Sequence, residues 1–170
     1  TDGLVRLDGI DATYAGVELE AAYQPVNYLR FDAAFSQGFW TYTNDVSGSY
    51  IPDFSDPNSV VEYHYYIKDL KVGDAPQTQL ALAFTLFFPE GLQTQIVWRY
   101  YDRYFAVFDP FSRNDETDRE QVWQIPSYSL VDLHLLYRIP GQVAGLDVSV
   151  FGHVFNMLNE LYVEDATDNS

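Results

Sequence analysis

Apolar and polar residues alternate with a period of two along about six separate stretches of this chain. The clearest pair lies in 77–105, where Leu80, Leu82, Phe84 and Leu86 fall on one side of an extended segment and Gln79, Ala81, Ala83 and Thr85 on the other. Beyond the tight Pro89-Glu90-Gly91 turn, Leu92, Ile96, Trp98 and Tyr100 share a side opposite Gln93, Gln95, Val97, Arg99 and Tyr101. Successive side chains of a strand point to opposite faces, so this period predicts an antiparallel hairpin with one apolar and one polar face. Each arm runs to about a dozen residues, beyond the usual five or six of soluble strands.

The same alternation recurs on both sides of that hairpin. Val17, Leu19, Ala21 and Tyr23 oppose Glu18, Glu20 and Ala22, and Leu29, Phe31, Ala33 and Phe35 oppose Arg30, Asp32, Ala34 and Ser36. Toward the end, Val131, Leu133, Leu135 and Tyr137 oppose Asp132, His134, Leu136 and Arg138. Val148, Val150, Gly152 and Val154 then oppose Asp147, Ser149, Phe151 and His153. The connections go short (24–27, around Pro25), long (43–76), short (Pro89), long (106–126) and short (140–145). An all-β fold follows: an antiparallel up-and-down meander of about six long strands, with every short turn at one end and both long loops at the other.

Aromatic residues make up 17% of the chain, and their placement decides what the sheet faces. Tyr23, Tyr28, Phe87, Phe88 and Tyr137 gather near the short turns. Phe39, Trp40, Tyr42, Tyr100, Tyr101, Tyr104, Trp123 and Tyr128 gather toward the long loops. Two aromatic girdles around an aliphatic band, with loop lengths segregated by end, are the pattern of a partial transmembrane β-barrel wall, because lipid tolerates only a backbone whose hydrogen bonds are satisfied internally. On this reading Leu80, Leu82, Phe84, Leu86, Leu133 and Leu135 face outer-membrane lipid from the convex side. Glu18, Glu20, Arg30, Asp32, Gln79, Gln93, Gln95, Arg99, Asp132, His134, Arg138 and His153 face the lumen.

Charge and composition remove several classes of function. Nine basic against 25 acidic residues give a net charge of −16, which argues against nucleic acid, whose binding depends on neutralising phosphates. With no cysteine there is neither a disulfide framework nor a thiolate site, and no run of about 18 apolar residues makes a membrane helix. Asp132 and His134 share a strand face as an acid and a base would. No motif ties a nucleophile to them, so no catalytic residue, enzyme activity or cofactor is assigned. His64, His134 and His153 lack metal-ligand spacing, although neighbouring fifth and sixth strands would bring the last two together, and no metal site is assigned. Acids at 115–120 and 164–168 lack the glycine and terminal glutamate of a calcium loop and read as solvated loops. Tyr63, Tyr65, Tyr66, Tyr104, Phe105, Phe108 and Phe111, on or near the long loops, are the candidates for contact with a small ligand.

Three segments carry a family resemblance. They are Tyr14-Ala15-Gly16-Val17-Glu18-Leu19-Glu20 in the first strand, Ala75-Pro76-Gln77 opening the third, and Phe155-Asn156-Met157-Leu158-Asn159-Glu160-Leu161-Tyr162 after the sixth. The last is similar to the Asn-Leu-Phe/Leu-Asp/Asn-x-x-Tyr pattern at Asn156, Leu158, Asn159 and Tyr162, with Met157 where the family has Leu. Together they resemble the C-terminal β-barrel portion of a TonB-dependent outer-membrane receptor, over nearly all of 1–170. The resemblance implies a segment of a receptor in the bacterial outer membrane that binds and imports a scarce nutrient of the iron-siderophore, cobalamin or glycan class. It also implies coupling to the TonB complex through a plug domain; these residues contain neither that plug nor the barrel's terminal strand. Two other readings fit the length: a complete small eight-stranded outer-membrane barrel of structural or adhesive role, and a soluble lipocalin-like binding barrel.

Overall fold

A computed structural model describes residues 6–52, 55, 56 and 58–169. In chain order the strands are β1 (Arg6–Asp8), β2 (Ala12–Val26), β3 (Leu29–Tyr42), β4 (Val46–Tyr50), β5 (Val61–Tyr65), β6 (Thr78–Phe87) and β7 (Leu92–Asp102). Then follow β8 (Tyr104–Phe105), β9 (Val107–Phe108), β10 (Gln124–Ile125), β11 (Tyr128–Arg138), β12 (Ser149–Val154) and β13 (Thr167–Asp168). Six of them form one sheet in the order β12-β11-β7-β6-β3-β2, each pairing antiparallel with its neighbour, so the all-β meander is as the alternation predicts. The outer strands β2 and β12 do not pair with each other, so the sheet is open.

Register makes the apolar positions coincide across the whole sheet. Leu19 lies opposite Phe35, Phe35 opposite Leu80, and Leu80 opposite Tyr100. One step along, Phe31, Phe84, Ile96, Leu133 and Val154 form an unbroken row through five strands. A slip of one residue in any pairing would turn one strand's apolar set to the other face, so the six alternations are mutually consistent. Among the described residues nothing is layered on this apolar face: Leu19, Leu82 and Ile96 remain 62%, 45% and 42% exposed. The polar face is the more occluded, with Thr85 and Asp132 each at 2%.

The packed core lies elsewhere. Val46, Tyr65, Ile67 and Leu70 from the first long loop meet Phe105, Phe108 and Val122 from the second, with Tyr42 and Tyr63 packed against them. Both long loops therefore stand at one end of the sheet, as antiparallel hairpin order requires, and fold together into a cap. The cap contains a three-stranded sheet, β1-β4-β5, and two short pairings, β10 with β8 and β13 with β9.

The connections differ from expectation in detail. Gln24-Pro25-Val26-Asn27 reads as the first turn, but β2 continues through Pro25 to Val26, with a register shift after Tyr23, and Asn27 and Tyr28 make the turn. Proline lacks an N–H, yet an edge strand has one side with no ladder to feed, so Pro25 is tolerated there. At Pro89-Glu90-Gly91 the backbone enters the left-handed region at Glu90 (φ 70) and Gly91 (φ 86), and a side chain at Gly91 would run into the Arg138 carbonyl. The 140–145 turn is a two-residue reversal at Ala144 and Gly145, both with positive φ, closed by Val143 and Leu146 exchanging N–H···O bonds of 2.9 and 3.0 Å. The long loops, which read as irregular connections, hold the short strands of the cap.

Candidate functional site

On the polar face the wall strands place the lumen candidates side by side. Arg30 chelates Asp32 with Nε and a terminal nitrogen at 2.6–2.9 Å, and both side chains are partly exposed. Arg99 donates to Asp132 across β7 and β11, and the other Asp132 oxygen accepts the Asn156 N–H at 2.8 Å. Gln95 donates to the Thr85 hydroxyl at 2.9 Å, and the His134 and His153 rings meet with Nδ1 atoms 2.8 Å apart. Gln79 turns back to donate to the Pro76 carbonyl at 3.1 Å. Gln93 lines a hollow beside the histidine pair, and Arg138 is exposed at the end of β11. Glu18 and Glu20 make no hydrogen bond or ion pair among the described residues and border a hollow of about 320 Å³ with Ser36, Gln79, Arg99 and Tyr101. Alanines set its depth: Ala34 and Ala81 lie opposite each other across β3 and β6, removing bulk from the middle of the polar face.

Arg30 and Arg99 are matched by carboxylates, whereas Glu18 and Glu20 of β2 make no ion pair among the described residues. Among the described residues the hydrogen-bond partners of His134 and Asp132 are a second histidine, an arginine and a backbone N–H.

The aromatic loop candidates divide in two. Tyr65, Tyr104, Phe105 and Phe108 are buried, three of them in the cap core itself, while Tyr63 and Tyr66 are half-buried and Phe111 is exposed. Tyr63 stacks on Tyr65 and meets Phe111 edge-on, so the exposed ring is continuous with the core. Burial pushes the Tyr65 and Tyr104 phenols above their ordinary range; Tyr104 donates to the Glu164 carbonyl at 2.6 Å, and Tyr65 Oη has no partner among the described residues. Around Tyr66 the Arg119 guanidinium sits 5.1 Å from the ring centre while binding Asp45 through two bonds of 2.8 and 3.0 Å. That guanidinium holds the Asp45 carboxyl below its ordinary value.

The 156–162 segment has a local cause for each motif residue that it fixes. Asn156 and Asn159 both adopt positive φ (47 and 54), a region asparagine enters more readily than most side chains. Asn156 also clamps Glu160, accepting its N–H at 2.8 Å and donating to its carbonyl at 2.9 Å. Tyr162 stacks on Tyr128 with ring centres 4.5 Å apart. Leu158 is exposed.

Sequence reasoning missed Arg113, which is fully buried in the cap and bonded to the Glu120 carbonyl and Asp168. It also missed Gln77, whose buried amide accepts from the Trp40 N–H and donates to the carbonyls of Trp40 and Val72. Arg113 is one of two arginines in an acidic loop, which was its available signal; Gln77 was visible only as part of Ala75-Pro76-Gln77, with nothing to mark its burial. Comparison of the chain with family models, with curated proteins and with solved structures returns no match to any of them.

Proposed function

We propose that this chain is part of the wall of a TonB-dependent outer-membrane receptor, and that it contributes polar-face and loop residues to binding and importing a scarce small nutrient. The observation that carries the reading is the inversion of packing: a continuous apolar face across six strands stays exposed while the buried core sits in the long-loop cap. A sheet whose apolar face meets water must cover it with a second layer. A sheet whose apolar face meets lipid has no such need. The chemistry is non-covalent. Its ligand would be of the iron-siderophore, cobalamin or glycan class, its energy would come from the TonB complex through a plug domain, and its place would be the bacterial outer membrane.

Arginine scanning in lipid tests this. At Leu82, in the middle of β6 on the apolar face, Leu82→Arg should cost about 2–4 kcal/mol of folding into vesicles, as a cation at the bilayer midplane does. Ala83→Arg, one residue on and facing the polar side, should cost far less. The reading fails if the two variants fold equally well in lipid, or if the protein is a stable monomer in water without detergent.

A further inference from the structure

We propose that His134 and His153 form a two-imidazole chelate for a divalent transition-metal ion of tetragonal preference, Cu²⁺ foremost. The two residues lie directly opposite each other on β11 and β12, so their side chains rise from the same face of the sheet. Their Nδ1 atoms are 2.8 Å apart. With metal–nitrogen bonds of about 2.0–2.1 Å, that 2.8 Å separation subtends about 85–90° at the metal. This is the cis angle of a square-planar or octahedral centre. A tetrahedral ion at the same bond length would need the nitrogens about 3.3 Å apart. Geometry and the ordinary affinity series therefore agree in ranking Cu²⁺ ahead of Ni²⁺ and Zn²⁺.

The surroundings fit an ion. Without metal, one Nδ1 must donate a proton to the other, and small ring rotations turn both lone pairs from each other onto a shared point. Aromatic neighbours limit larger rotations: Phe155 lies 5.8 Å from the His134 ring and 5.9 Å from the His153 ring, and Phe151 lies 5.5 Å from the latter. Beside the pair is an open hollow of about 520 Å³ lined by Gln93, Gln95 and Leu136. No residue lining it carries a fixed positive charge. Water, or a donor on an incoming ligand, fills the remaining coordination positions from this hollow, which makes the site one for reversible capture. The inference does not depend on the membrane reading, since the pair is formed whether the polar face lines a lumen or meets bulk water.

The test is titration of the purified protein in detergent with Cu²⁺, followed by calorimetry and electron paramagnetic resonance. One Cu²⁺ per chain with hyperfine coupling to two imidazole nitrogens is expected, with Zn²⁺ binding more weakly. Losing a ligand should weaken Cu²⁺ binding by more than the roughly 10–100-fold that losing an outer-shell partner costs, in His134→Ala and in His153→Ala alike. His153 is exposed on an edge strand, so its variant keeps the test open if His134→Ala fails to fold. His64→Ala, in the cap and bonded to Ser47, should bind as the unsubstituted protein does. Undiminished Cu²⁺ binding by His153→Ala, tighter binding of Zn²⁺ than of Cu²⁺, or an equal loss in His64→Ala would overturn the proposal.

Discussion

Replacing Arg113 by Met should open the cap while leaving the wall intact. The Arg113 side chain is wholly buried; one terminal nitrogen donates to Asp168 at 3.3 Å, and the other donates to the Glu120 carbonyl at 3.0 Å and lies 3.6 Å from Asp118. Asp118 is about a third exposed, so water screens its share and little is lost there. Asp168 is buried, and without Arg113 its carboxylate is left in a dry site with the Trp123 N–H, at 2.7 Å, still donating to it. Breaking a buried ion pair costs about 3–5 kcal/mol, and the bonds that Asp168 keeps, the Trp123 N–H among them, place this case at the low end, about 3, or roughly a hundredfold in the opening equilibrium. Amide hydrogen exchange reads it directly: the N–H groups of Ala106, Val107 and Asp109 bond to Trp123, Ala166 and Asp168 and exchange only when the cap opens. The double variant R113M/D168N keeps an acceptor for Trp123 but removes both charges. It should recover most of the loss, because a neutral, well-packed replacement for a buried pair is often no less stable, and Arg113 Nε is already without a partner. Protection of those three amides within twofold of the parent in Arg113→Met would refute the reasoning.

Asn156→Ala should loosen the 156–162 segment by about 1–2 kcal/mol, since alanine pays the left-handed penalty at φ 47 and makes neither bond to Glu160. Asn156→Gly, which relieves the backbone but not the bonds, should fall between the two when protection of the Glu160 amide is compared. Acid should act on the Asp45–Arg119 contact. The Asp45 carboxyl is held below its ordinary 3.8 by the guanidinium, so its contribution is complete above that value and is lost as pH falls through the lower folded one. Protection of the Lys68 N–H, which donates to Asp45, should decline only below about pH 4, and by a small amount because both partners are over a third exposed.

How much of this was legible depended on which residues a rule of two could reach. The wall strands were readable because each alternates over six or more positions and every register then agrees, as the row Phe31, Phe84, Ile96, Leu133 and Val154 demonstrates. The cap was not. Val-Glu-Tyr-His-Tyr of β5 does alternate, but its partner β4 is Val-Ser-Gly-Ser-Tyr, and one apolar residue among small polar ones carries no visible period. Strands of two residues such as β8, β9, β10 and β13 are set by tertiary pairing alone. For the same reason the burial of the loop aromatics was not legible: Tyr65, Phe105 and Phe108, candidates for ligand contact, pack with Ile67, Leu70 and Val122 in the cap core. Among the polar-face residues, sharing a face was legible, and adjacency of the fifth and sixth strands anticipated the meeting of His134 with His153; the contacts Arg99–Asp132 and Gln95–Thr85 were not legible, since they need the register of the partner strand. His134 and His153 are 19 residues apart and meet only through the ladder between β11 and β12.

The chain thus combines two kinds of order that respond to different solvents. In the wall, backbone hydrogen bonds are satisfied strand to strand and the apolar side chains are left to whatever lies outside, so the stability of that part is a property of the sheet together with its surroundings. In the cap, apolar side chains from both loops bury one another and an ion pair is sealed among them, so its order is internal and belongs to water. The two parts meet at Gln77, whose side chain bonds Trp40 at the end of β3 and Val72 in the loop, and at Tyr42 of β3, whose N–H donates to the Leu70 carbonyl at 3.0 Å and whose ring packs against the cap core. Changes in the cap should therefore alter loop opening and leave the wall's register alone. On the proposed membrane reading, changes on the apolar face should alter insertion and leave cap exchange alone. A residue at the joint such as Gln77 should move both readouts together, because its buried amide bonds backbone of the wall at Trp40 and of the loop at Val72.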